Sequence, residues 1–86
     1  MTISVTIVQA KVEKASEAEI ISMLSRVVGW EVNYNNPPEA RRKIDAQDHI
    51  NAILFADTPS NRNGATERAR EFLFKNAEAA GARDGF

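Results

Sequence analysis

The sequence predicts a small α+β domain, with a sheet of two or three strands packed against two or three helices in the order β, α, β, α, β, α. Three observations lead to it. β-branched residues alternate with polar ones near the N-terminus. Amphipathic helical stripes follow, opened by capping or proline signals and closed by glycine. A second β-rich run, Ile50–Ala56, completes the pattern.

The first strand is read over Ile3–Val12, ISVTIVQAKV, where Ile3, Val5 and Ile7 lie on one face and Val8, Ala10 and Val12 on the other. The change of phase at Ile7 and Val8 suggests a bulge, or an inner strand covered on both faces. The first helix opens with Ser16 followed three residues later by Glu19, the spacing of a capping box. Ile20, Ile21, Leu24, Val27 and Val28 then form one apolar stripe, and Gly29 marks its end. Trp30 and the segment Glu31–Tyr34 read as a short second strand.

Asn35, Asn36, Pro37 and Pro38 break the chain, and either proline suits the first turn of a second helix over Glu39–Gln47. Ala40, Ile44 and Gln47 share one face of it. From His49 to Asp57 the sequence fits either a continuation of this helix, to about twenty residues, or a buried strand over Ile50–Ala56. The strand is adopted because a first strand paired only with a short second one makes a poor sheet. Asp57–Gly64, DTPSNRNG, is dense in turn formers and reads as a loop. A last helix runs Ala65–Ala80 up to Gly81, with Phe72 and Leu73 on its stripe and Phe74 off it. Residues 82–86 are expected to fray, and nothing divides residues 1–86 into two domains.

Composition narrows the function. The 86 residues carry 11 Lys and Arg against 12 Asp and Glu, a formal net charge of −1, which argues against a general polyanion binder. Apolar residues are 43% of the chain, but 13 of them are alanine, so the core is thin and a second copy or a partner would help it. Without cysteine, disulfides, thiolate metal sites and thiol nucleophiles are excluded together. The chain has no basic signal region and no apolar run of about 20 residues, so a cytoplasmic protein with no membrane span is expected.

No residue set makes a catalytic site. The single histidine, His49, shares a helical face with Asp45 if the second helix continues, but two side chains are too few for a metal. Five serines have one histidine among them and no G-x-S-x-G elbow. Neither catalysis nor a cofactor is expected. Two groups suggest contact with an anion. Arg62, Asn63 and Thr66 sit where a loop enters a helix, a place that suits phosphate, although the same residues suit an ordinary cap. Arg41, Arg42 and Lys43 form the one basic cluster, which fits nucleic acid or, more simply, a solvated helix face.

The aromatic residues Trp30, Tyr34, Phe74 and Phe86 remain as candidate interface anchors. For Trp30, closing the end of the first helix against the sheet is the favoured alternative. The expected function is therefore a non-enzymatic binding protein acting through a protein interface, with a homodimer as one form. Its composition is similar to that of small phage or mobile-element regulators and inhibitors. Nucleic-acid binding and binding of a small anion are the rival readings.

Overall fold

The computed structural model describes residues 4–29 and 35–82, and among them there is no strand. Four helices account for most of these residues: α1 (Val5–Lys14), α2 (Glu17–Gly29), α3 (Pro37–Leu54) and α4 (Pro59–Lys75). A short π-type turn, Glu78–Ala82, follows them. The expected α+β fold is thus corrected to an all-helical one.

The expected first strand is α1. Ser4 caps it, its hydroxyl accepting from the Thr6 N–H at 3.2 Å. Val8, Val12 and Ala15 are buried at a spacing of four and three residues, while Val5 and Ile7 face water. The change of phase at Ile7 and Val8 is therefore helical periodicity, not a bulge. Burial of one helical face outweighs the β preference of valine and isoleucine, which amounts to only tenths of a kcal/mol per residue.

The expected third strand is also helix, because α3 continues through His49 to Leu54. Ala46, Ile50 and Ile53 point into the core, again at helical spacing. The expected loop Asp57–Gly64 shortens to the corner between Leu54 and Pro59. Thr58 caps α4 by accepting from the Asn61 N–H at 3.0 Å, and Pro59 fills the first turn. The short strand expected at Glu31–Tyr34 lies outside the described residues, as does the expected tail beyond Ala82.

The helix read from the capping box forms as expected. In α2 the Glu19 N–H donates to the Ser16 hydroxyl and the Ser16 N–H to the Glu19 carboxylate, both at 3.2 Å. Those bonds, the backbone one foremost, lower the pKa of Glu19 and keep it ionised. Ile20, Leu24 and Val27 of the stripe are buried, together with Met23. The last helix begins earlier than expected and ends earlier, at Lys75, where the Asn76 side chain donates to the Phe72 carbonyl at 2.8 Å.

α2 packs on α3 and α4, and α1 packs on α4 and the π turn. Ile20, Leu24, Ile53, Leu73, Val8 and Val12 are the largest fully buried side chains. Around them lie Ala46, Ala65, Ala69, Ala77 and Ala80, which let the helices approach closely. Polar links join the helices near their ends. Arg62 on α4 meets Glu17 in the first turn of α2 at 2.7 Å. Arg70 on α4 donates through Nη1 to the carbonyls of Val12 at 2.7 Å, Ala15 at 2.8 Å and Glu13 at 3.3 Å. These oxygens belong to the C-terminal end of α1, whose last carbonyls have no partners within the helix.

Arg70→Met takes this donor from the Glu13 and Ala15 carbonyls and leaves Val12 its 3.3 Å bond from the Ala15 N–H, and is expected to cost about 2 kcal/mol in chemical denaturation. Arg70→Lys keeps the charge but not the fork of donors, so it should recover only part of that loss. Gly64 lies inside α4, and a methyl group there meets only the flexible tip of Arg68 at 3.4 Å. Gly64→Ala should therefore raise stability by about 0.5–1 kcal/mol. A drop in the denaturation midpoint would instead mark this stretch as a loop.

Candidate functional site

The site begins with the geometry of α3. Pro37 and Pro38 occupy its first turn, and the Glu39 and Ala40 N–H groups donate to the Asn36 carbonyl at 3.1 and 3.2 Å. With Ala46, Ile50 and Ile53 turned inward, the 3.6-residue period places Ile44, Gln47, Asp48 and Asn51 on the opposite side. All four are exposed, and Ile44 is 54% accessible. Of the face Ala40, Ile44 and Gln47 that the sequence grouped together, Ile44 and Gln47 are exposed and Ala40 is half-buried.

The outer face ends in an apolar corner. Leu54 is 51% accessible and Phe55, which terminates α3, is 80% accessible. Phe55 is anchored by its backbone, since its N–H donates to the Asn51 carbonyl at 2.9 Å. Beyond it the Asn61 amide donates to the Asp57 carboxylate at 2.7 Å, and Thr58 caps the next helix. A phenyl ring held in water by an ordered backbone loses little entropy when something covers it.

The middle of the face is polar. The Gln47 amide donates to Asn51 Oδ1 at 3.0 Å. Arg41 bonds Asp45 at 3.0 Å near the start of the helix.

The residues singled out in the sequence are dispersed. Trp30, Tyr34 and Phe86 lie outside the described residues. Phe74 is half-buried and packs against the core, beside a shallow cleft shared with Glu13, Glu67 and Arg70. Arg41 is exposed, whereas Arg42 and Lys43 are half-buried, and Arg42 lines a polar hollow with Glu39, Lys75 and Glu78. Arg62 is engaged by Glu17, Thr66 is buried and donates to the Arg62 carbonyl at 2.9 Å, and Asn63 is exposed. Arg41, Arg42 and Lys43 begin α3 while Arg62, Asn63 and Thr66 begin α4, so these groups sit at opposite ends of the α3–α4 hairpin.

Phe55 is the residue that sequence reasoning assigned to a buried strand. Extending the helical period of Ala46, Ile50 and Ile53 by one step would have placed it outside. A further cleft of about 470 Å³ opens beside α1 and α2, with Met23 and Ser22 lined by Lys11, Lys14, Arg26 and Glu19. Among the described residues, no three metal-binding side chains come together, and no helix is long and apolar enough to cross a membrane. No family model matches the chain, and comparison with curated proteins and with solved structures finds no match.

His49 lies between α3 and α4, half-buried, with its ring 5.0 Å from that of Phe72. Burial lowers its pKa and Arg68 acts in the same direction, against the opposing pull of Asp45 and Asp48. The unfolded chain, titrating near the ordinary value of about 6.5, therefore binds this proton more readily than the folded one. The contribution of His49 to stability is complete above that pH and is lost as the pH falls below it. Urea midpoints should decline from pH 7.5 to 5.5 in the wild type and decline less in His49→Phe, which keeps the ring contact. Parallel declines in the two proteins would show that other groups carry the effect.

Proposed function

We propose that the chain is a non-enzymatic binding protein that acts through a protein interface, formed by the outer face of α3 and the corner at Leu54 and Phe55. The observation that carries this reading is the exposure of Phe55, 80% accessible on an anchored backbone beside a half-exposed Leu54. Covering a phenylalanine side chain is worth about 2 kcal/mol, and aromatic anchors dominate interface energetics. A chain of this size that acts by occupying a surface of its partner would work as a regulator or inhibitor.

Nucleic acid has weaker support. Arg62 is tied to Glu17, Thr66 is buried, and the remaining basic cluster is divided between exposed Arg41 and half-buried Arg42 and Lys43. The net charge of −1 adds no attraction for a phosphate backbone.

Leu54→Ser and Phe55→Ser remove exposed groups, so each should leave the folding midpoint within about 0.5 kcal/mol of the wild type. Both should abolish recovery of the protein that co-purifies with the wild-type chain in a pull-down from source cells. A control change on α2, Ser25→Ala, should leave recovery intact. Undiminished recovery by the Leu54→Ser, Phe55→Ser double variant would reject this face as the interface.

A further inference from the structure

Resting on the reading of α3 as the binding face, we propose that its occupant is a second copy of the same chain, docked with the two α3 helices antiparallel across a two-fold axis beside Gln47 and Asn51. The first ground is spacing. Ala40, Ile44, Gln47, Asn51 and Leu54 recur at intervals of four, three, four and three residues, the repeat of a helix–helix seam. The core does not account for it, because Ala46, Ile50 and Ile53 serve the core from the other side. The part of the seam that pairs, Ile44–Leu54, runs about 15 Å along the helix.

The second ground is self-complementarity. With the axis level with His49, between Gln47 and Asn51, Ile44 of one copy lies opposite Leu54 of the other and Gln47 opposite Asn51, while Ala40 falls past the end of the other copy's α3. Apolar ends meet apolar ends and amides meet amides. The bond between Gln47 Nε2 and Asn51 Oδ1 within one chain leaves the Gln47 oxygen and the Asn51 nitrogen to be exchanged across the axis. A polar layer of this kind fixes the register of paired helices.

Charge favours the same direction. The start of α3 carries Arg41, Arg42 and Lys43, and Asp57 lies just past its end, where the helix also presents its negative pole. Antiparallel pairing sets Arg41 of each copy, which also bonds Asp45 of its own chain at 3.0 Å, against Asp57 of the other, and each contact is made twice. Parallel pairing would instead place Arg41 beside its own copy and align the two helix dipoles. One contact opposes the arrangement. Asp48, on the flank of the seam, approaches its own copy near the axis, which keeps the pair weak.

A seam of this length belongs with interfaces below about 1,200 Å², so dimers should form at roughly 0.1–1 mM protein. Sedimentation equilibrium of the full chain over that range is expected to show a monomer–dimer equilibrium. Asp48→Asn should tighten it, and Phe55→Ser should weaken it at least tenfold. The decisive pair is Arg41→Glu and Asp57→Arg, each made in a separate chain and checked for helical content by circular dichroism. Each variant alone brings like charges together at both ends and should stay monomeric. An equimolar mixture restores opposite charges at both ends and should dimerise. A wild type monomeric at about 1 mM overturns self-pairing, while loss of partner recovery in Phe55→Ser would still uphold α3 as a docking face. A dimeric wild type whose charge variants fail to recover on mixing overturns the antiparallel register.

Discussion

An α-helix of ten residues has too few internal bonds to stand alone in water, and α1 has additionally to find donors for the carbonyls at its C-terminal end. Arg70 supplies them from α4. One guanidinium nitrogen reaches Val12, Glu13 and Ala15, and the Nε side of the same group faces Glu67 at 3.3 Å. The positive charge also lies at the negative pole of α1. This contact sets where α1 ends and how it lies against α4. Gln9 reinforces the arrangement further along, its amide donating to the Phe74 carbonyl at 3.3 Å.

With α1 held there, the remaining helices have little freedom. The two-residue link at Ala15 and Ser16 starts α2 at once, and Glu17 in its first turn meets Arg62. α2 is thereby brought across α4 and α3, where Ile20, Leu24 and Val27 close the core. α4 is covered by three neighbours, namely α1, α2 and α3. α3 packs against α2 and α4, which leaves the side bearing Ile44, Asn51 and Phe55 in water. The exposed face follows from the order in which the helices are tied together.

How far this was legible in the sequence depends on which signal each segment carried. α2 was legible because cap and stripe agree: Ser16 and Glu19 fix its start and the Ile20, Leu24, Val27 spacing fixes its face. α1 was not, because Val5, Ile7 and Val8 weigh a local preference for strand against a helical spacing that only Val12 and Ala15 complete. The same conflict hid the second half of α3, where isoleucines at 50 and 53 follow the helical period. Thr58 and Pro59 are a cap and a first-turn proline, but the turn formers around them masked that meaning. The basic residues were visible as residues, yet their separation was not, because it depends on α3 and α4 running antiparallel. Phe55 is the clearest case. Its exposure depends on whether the chain at His49 is strand or helix, so reading a strand there places in the core a phenylalanine that is 80% accessible.

The alanine content that made the core look thin has a second consequence. Ala46 on α3 and Ala65, Ala69, Ala77 and Ala80 along α4 and its extension are buried, and each holds the space between helices to the width of a methyl group. A close-packed interior admits extra methylenes only by shifting backbones or straining rotamers, at about 1–3 kcal/mol per site. Ile50 and Ile53 are the large side chains that α3 buries. Ile44 and Phe55 stay outside because the helical period that turns Ala46, Ile50 and Ile53 inward turns them away, and Leu54 lies half-exposed on the flank. For the same reason, a partner can cover them without disturbing the core. In the proposed arrangement folding and binding would draw on opposite faces of one helix, so Phe55 can be altered while the inner contacts at Ile50 and Ile53 persist.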